Sequence, residues 1–370
     1  MRVALIGYGV GGAVFHAPLV SATPGLDLAA VVTRDPGRRE EVRARYPDCR
    51  VVDDAERLWQ GTEPFDVVVV ATPNDAHVPL ALAAIRAGLP VVVDKPLAVT
   101  PADGERLVAA AREAGVPLTV FHNRRFDGDL LTIQRLLAAG TLGRVHRFES
   151  RFERWRPEPR PGAWRETEPA TSGGGLLLDL GSHLVDQAML LFGRPHRVYA
   201  EVDVRREGVR GDDDVFVALE HSDGVRSHLW ASAVAAQLGP RFRVLGSRAA
   251  YVKHGLDGQE AALRDGALPD DPGFGTEPPE STGHLHGDDG ETPAVPTERG
   301  DYRRFYVLLE AALRGAGPVP VDASDAVDVL RVLEAAAASA ASGEVVTLDG
   351  TAGVVRPAAG RRRPPPSRAG

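Results

Sequence analysis

The chain has 370 residues, 43 of them basic and 51 acidic, with a formal net charge of −8, 43% hydrophobic and 25% charged residues. That composition fits a globular protein of about two domains and excludes a mostly disordered or collagen-like chain, and the acidic balance argues against a nucleic-acid binder with a broad basic face. No apolar run nears the ~18 residues of a membrane span, MRVALIGYGVGG is no secretion signal, and the lone Cys49 allows neither a disulfide nor a Cys-based metal cluster, so a cytoplasmic chain without membrane or nucleic-acid partners is expected.

In the first 120 residues, short Val, Leu and Ile runs (2–7, 28–33, 67–72, 91–94 and 117–121) alternate with helical patterns at 12–22, 36–46, 75–87 and 101–114. Near-continuous apolar runs suit strands buried on both faces, so this half predicts a doubly wound parallel sheet of the Rossmann kind. One further helix is expected over 127–139. From 144 onward longer runs alternate polar and apolar (144–155, 196–205, 215–221, 224–234, 241–246 and 249–253), interrupted by an amphipathic helix over 174–192. That pattern predicts an α+β domain with an open, mainly antiparallel sheet. Helices over 301–314 and 324–342 close it. The stretch 265–300, rich in Asp, Gly, Pro and Glu, reads as a long loop. The domains are expected to be 1–122 for dinucleotide binding, 123–355 for substrate binding and oligomerisation, and a disordered, basic, Pro-rich tail at 356–370.

Gly7-Tyr8-Gly9-Val10-Gly11-Gly12 is a G-x-G-x-x-G directly after the first strand. Gly7 serves the tight turn, Gly9 lets backbone approach a pyrophosphate, and Gly12 lets helix pack on strand. In the first strand–helix–strand unit of a chain, this spacing points to a dinucleotide. The second strand ends Thr33-Arg34-Asp35, with Arg38 and Arg39 a turn later. A hydroxyl and a guanidinium where a ribose-binding carboxylate would stand favour NADP, while Asp35 keeps NAD open.

Ala71-Thr72-Pro73-Asn74-Asp75-Ala76-His77 and Asp94-Lys95-Pro96 follow the next two long strands, at carboxyl ends where open α/β sheets bind ligands. Ala71, Thr72, Pro73, Asn74, His77, Asp94, Lys95 and Pro96 are accordingly candidate cofactor contacts. Lys95 is also a candidate proton relay beside a cationic ring. In the second half, Asp179, His183 and Asp186 fall at i, i+4 and i+7 on one helix face. A histidine beside carboxylates suits a general base. The same spacing would suit a metal, but no third strong ligand at helical spacing accompanies it, so no metal is expected.

GYGVGG, ATPNDAH, VVVDKPLA and GGGLLLDLGSHLVDQ together resemble the glucose–fructose oxidoreductase/inositol dehydrogenase (Gfo/Idh/MocA) family over about residues 1–350. FHAP (15–18), FHNRRFDGD (121–129) and RFERWRPE (151–158) are similar to its NADP-dependent scyllo-inositol dehydrogenase branch. The resemblance implies hydride transfer between a nicotinamide and a secondary alcohol of a cyclitol or sugar. It gives His183 the hydroxyl proton, sets Lys95 on the same oxygen and Asp179 on another hydroxyl, and places Trp164, Arg165 and Asn123 near the nicotinamide. Asp94 stands where the family usually has Glu. Asp127, Trp155, Arg156 and Tyr302 are candidate substrate contacts, and pairing through the open face of the second sheet implies a homodimer or homotetramer. The alternatives are a glycosidase that oxidises transiently, eliminates and re-reduces, and a non-catalytic NADP-binding sensor.

Overall fold

The computed structural model describes residues 1–59, 64–160, 162, 164–288, 290–348 and 355–357. Its first sheet holds six parallel strands: β1 (Arg2–Ile6), β2 (Asp27–Val32), β3 (Arg50–Val52), β4 (Val67–Val70), β5 (Val91–Asp94) and β6 (Leu118–Phe121), in the order β3-β2-β1-β4-β5-β6. The valines of β4 are fully buried because helices cover both faces, which is why this strand carries no polar alternation. The order reverses between β1 and β4, so the crevice at their carboxyl ends is the topological switch point. β3 is three residues long and escaped the sequence reading.

The second sheet has ten strands: β7 (Val145–Glu153), β8 (Pro195–Asp203), β9 (Asp214–His221), β10 (Arg226–Ser232), β11 (Phe242–Gly246), β12 (Ala250–Lys253), β13 (Gly283–His286), β14 (Ala294–Val295), β15 (Val346–Leu348) and β16 (Val355–Pro357). They run β14-β13-β12-β11-β7-β10-β9-β8-β15-β16. Pairing is antiparallel except between β7 and β10. In β9, Val215, Val217, Leu219 and His221 are buried and the residues between them half-buried, the alternation of a sheet covered on one face.

Three expectations change. The stretch 265–300 is not wholly loop, because β13 and β14 extend the sheet edge from within it. Arg356 and Pro357 belong to β16, paired with β15, rather than to a disordered tail; the rest of that expectation, 358–370, lies outside the described residues. The helix expected over 174–192 is two segments, Leu176–Asp179 and Gly181–Phe192. The long helix Ala323–Ser342 spans both halves, packing on β8 and on the helix Pro101–Ala114. Thr119 of β6 donates to the Val321 carbonyl at 2.7 Å just before it. Among the described residues, no helix is long and apolar enough to cross a membrane.

Candidate active site

The phosphate-type loop sits on β1 at the switch point. Gly7 has φ +100°, and a Cβ there would stand 2.3 Å from the Ala71 carbonyl oxygen, so the turn admits only glycine. A Cβ on Gly12 would stand 2.1 Å from the Gly7 carbonyl oxygen, whereas Gly9 has nothing within 4 Å. One glycine thus closes the turn, one seats the helix, and one leaves open space above the backbone, the cradle a pyrophosphate requires. Val10 is half-exposed on the rim of the loop, Gly11 abuts the Asp94 carboxylate, and Tyr8 is buried beneath. These residues fit a nicotinamide dinucleotide.

At the carboxyl ends of β2 and β3, a cleft of about 550 Å³ is lined by Arg34, Arg39, Asp53, Asp54, Glu56 and Arg57. The Arg34 side chain is 84% exposed there, 3.9 Å from Asp54. Thr33 is buried, and Arg38 is exposed. Asp35 caps the next helix by accepting from the Arg38 backbone N–H at 2.9 Å.

Two loops face one another across the crevice. The His77 ring nitrogens lie 2.8 Å from the Pro96 carbonyl and 3.0 Å from the Thr72 carbonyl, tying the loop after β4 to the loop after β5. Asn74 donates to the Gly173 carbonyl at 2.9 Å and so fastens the second domain to the first. Ala71 is buried and bonded to Ile6, and Pro73 is exposed. The Thr72 hydroxyl is buried without a partner among the described residues.

The chemistry converges on Asp179. Lys95 Nζ donates to its Oδ1 at 2.5 Å and to its carbonyl at 2.9 Å, and Arg165 Nε stands 3.2 Å from the same Oδ1. Residues 84 positions apart meet because the glycines before the helix Leu176–Asp179 let it start abruptly. Gly175 has φ +88°, a Cβ there would lie 2.0 Å from Asp212 Oδ1, and Asp212 accepts the Leu177 N–H at 2.6 Å. Burial alone would lift the Asp179 pKa, but the charges of Lys95 and Arg165 hold it at about 2. Asp179 is a carboxylate at any working pH.

His183 follows one turn later, buried, with its Nδ1 lacking a partner among the described residues. Burial, followed by the charges of Lys95 and Arg124, pushes its pKa well below the ordinary value. It is therefore a neutral imidazole with a free nitrogen, the state a proton acceptor needs. His122 lies edge-on to it at 6.3 Å between centroids, and Phe152 at 6.2 Å. Arg124 and Arg241 stack on that Phe152 ring at 4.9 and 4.0 Å. The second acid of the helix face, Asp186, takes a bidentate bond from Arg125 at 2.6–3.1 Å and lies 3.7 Å from His122 Nδ1.

The remaining candidates separate. The Arg165 guanidinium stacks on Trp164 at 4.5 Å, Asn123 is buried, and Trp155 is 58% exposed. Arg156 lies 3.7 Å from Glu166. Asp127 and Tyr302 are both fully buried. The Tyr302 hydroxyl donates to Asp127 at 2.7 Å, and Arg124 bonds the other carboxylate oxygen at 3.3 Å. They are internal struts rather than wall residues, because polar groups in an interior must satisfy each other, and these do. Nothing in the local sequence marked Arg241; His122 and Phe152 lie in the FHNRRFDGD and RFERWRPE segments, but only tertiary packing brings them to His183. Among the described residues, no group of three or more His, Cys, Asp or Glu side chains could hold a metal ion.

Comparison with known proteins agrees with this geometry. Residues 1–122 match the NAD-binding Rossmann-fold model of the Gfo/Idh/MocA oxidoreductases, and residues 134–348 match the C-terminal alpha/beta domain model of the same family. The chain is 35% identical over 352 residues to scyllo-inositol 2-dehydrogenase (NADP(+)) IolW of Bacillus subtilis, covering 94% of this chain and 96% of that protein. It is 40% identical over 342 residues to the uncharacterized oxidoreductase YdgJ of Escherichia coli, covering 92% and 96%. A solved oxidoreductase from Klebsiella pneumoniae superposes with a TM-score of 0.87 at 40% identity, covering 95% of this chain and 97% of that one.

Proposed function

The chain belongs to the Gfo/Idh/MocA oxidoreductase family, and on that premise we propose that it is an NADP-dependent dehydrogenase of a cyclitol or sugar, with Lys95, Asp179 and His183 as its catalytic residues. The observation that carries this reading is the neutral His183, its Nδ1 without a hydrogen-bond partner among the described residues, beside the Lys95–Asp179 pair, at the open end of a sheet whose glycine loop fits a dinucleotide. A bound nicotinamide supplies the hydride acceptor or donor.

The protein's residues handle the proton and the orientation. His183 takes the proton of the substrate hydroxyl, and the Lys95 ammonium, held by Asp179, donates a hydrogen bond to the same oxygen as its charge grows. Asp179, fixed as a carboxylate, accepts from a neighbouring hydroxyl and so selects a polyol. Gly7, Gly9, Gly11 and Gly12 cradle the pyrophosphate, while Ala71, Thr72, Pro73 and Asn74 border the dinucleotide. The stacked Trp164–Arg165 pair and Asn123 would hold its nicotinamide end. Arg156 and Trp155 would contact the substrate.

NADP is favoured over NAD because Asp35 is committed to capping a helix while the exposed Arg34 and the half-buried Arg39 line the cleft beyond β2. The outward face of the second sheet carries Phe216, His228 and Trp230 within 5.1–6.1 Å of one another, with Arg151 over Trp230 at 3.9 Å. An aromatic patch of that kind supports assembly of a homodimer or homotetramer through this face.

Titration with NADPH and NADH, followed by a screen of NADP reduction with scyllo-inositol and related polyols, tests the reading. Tight NADPH binding and turnover of a polyol are expected. Binding of neither nucleotide would overturn it.

A further inference from the structure

His16, in the FHAP segment, is a fully buried histidine that the hydride chemistry does not use. Its ring is wedged against Phe121 at 4.3 Å between centroids, and Phe121 packs edge-on to Phe305 at 4.9 Å. His16 Nδ1 lies 2.5 Å from the hydroxyl of Tyr306, 290 residues away in sequence. Burial, with the charge of Asp94 adding to it, pushes the Tyr306 phenol well above its ordinary range, so it keeps its proton; the opposite ring nitrogen faces the Asp94 carboxylate, which favours a proton on Nε2 and leaves Nδ1 to accept from the Tyr306 hydroxyl. An imidazole that accepts at Nδ1 carries its proton on Nε2. That Nε2 is buried, has no hydrogen-bond partner among the described residues, and stands 3.8 Å from Asp94 Oδ2.

Asp94 ends β5 and precedes the catalytic lysine. Its Oδ1 accepts the Lys95 backbone N–H at 2.8 Å. Its Oδ2 is so close to the phosphate loop that a Cβ on Gly11 would stand 2.6 Å from it. Burial raises the Asp94 pKa, but His16, Lys95 and His77 outweigh it and keep the group ionised. The carboxylate is thus held between Gly11, the His16 N–H and the Lys95 backbone.

We infer that His16, its tautomer held by Asp94 on one side and Tyr306 on the other, is a positioning residue for Lys95, acting through the carboxylate of Asp94. The inference rests on the dehydrogenase reading for its consequence in turnover. The 3.8 Å separation exceeds the ~2.9 Å of an N–H···O bond. A glutamate, with one more C–C bond of ~1.5 Å, has the reach to close it. With aspartate here, the pair acts through its field rather than through a direct hydrogen bond.

The chain contains only two lysines, and Lys253 is fully buried, so acetylation by an amine-reactive reagent, read by mass spectrometry, reports on Lys95 without any turnover. His16→Leu keeps apolar packing and removes the N–H. It is expected to speed Lys95 acetylation about fivefold as the lysine loosens. It is also expected to lower kcat with scyllo-inositol and NADP about tenfold, with little change in KM. His16→Gln, whose amide can donate toward Asp94, is expected to restore both readouts to within about threefold of the original protein, and Tyr306→Phe to move both in the direction of His16→Leu by a smaller factor.

Unchanged Lys95 acetylation in His16→Leu overturns the inference. Equal impairment of His16→Leu and His16→Gln, the signature of lost packing alone, also overturns it. If the original protein turns over no polyol, the dehydrogenase reading fails, and the acetylation series still decides: acceleration with glutamine rescue upholds the positioning role, and its absence refutes it.

Discussion

Asp179, half-buried in the cleft, and Asp129, fully buried in the interior, both face cations, yet they are driven in opposite directions. Asp179 has Lys95 at 2.5 Å and Arg165 at 3.2 Å, and it is held at about 2 against the pull of burial. Asp129 has the charges of Arg241, at 3.9 Å, and of Lys253, opposed by the acids Asp257 and Glu277, and burial lifts it to about 6. The two lysines divide in the same way. Lys95 and its carboxylate partner keep 12% and 18% of their side chains exposed, whereas Lys253, paired with Glu277 at 3.1 Å, is fully enclosed. Contact distance and the acids nearby set the charge state, and access to the cleft sets whether that charge can act on a ligand.

The sharpest way to break this contrast is to remove the free base on the cleft side. His183→Ala is expected to lower kcat by about 10²–10⁴, while NADPH affinity measured by nicotinamide fluorescence stays unchanged. On the interior side, Lys253→Met leaves Glu277 buried and unpaired and should cost about 3–5 kcal/mol of stability in denaturant unfolding. The folded fraction of that variant should keep its kcat. If it lost turnover as His183→Ala does, the division between the two clusters would be wrong.

Arg34→Ala carries a smaller effect at the far end of the cleft. Loss of one charge-assisted contact should weaken NADPH binding roughly 10–100-fold and leave NADH binding nearly unchanged. Equal weakening of both nucleotides would hand the ribose to Asp35 and the preference to NAD.

The pH dependence gives the finest comparison. Because burial and the Lys95 charge depress the His183 pKa, His183 is already neutral at pH 7, and the rate of alcohol oxidation should stay level as pH falls through ~6.5, the ordinary histidine range. It should drop only at more acid pH. Lys95→Met removes a depressing charge, so the acid limb of its residual activity should move upward, whereas Lys253→Met should leave the limb in place.

Much of the cleft was legible in the sequence because its signals are local. The G-x-G-x-x-G lies within six residues, Asp179 and His183 lie one helical turn apart, and the strand-end position of Lys95 follows from an apolar run. What the sequence hid is set by tertiary pairing. Asp127 and Tyr302 carry the polarity of pocket residues, yet they are 175 positions apart and bond to each other out of solvent. The edge strands β13 and β14 lie in a Gly-, Asp- and Pro-rich stretch whose composition reads as loop, since a two- to four-residue edge strand needs little apolar surface. The parallel pairing of β7 with β10 inside an otherwise antiparallel sheet leaves no mark on either strand's alternation.

The central claim is that the cluster of Lys95, Asp179 and His183 moves the substrate proton while a bound nicotinamide dinucleotide exchanges hydride. Its most direct test is to mix the original protein and His183→Ala, each saturated with NADP, with scyllo-inositol and follow nicotinamide absorbance. The account predicts NADP reduction by the original protein and almost none by a variant that still binds NADPH normally. Reduction at an undiminished rate in His183→Ala would contradict it.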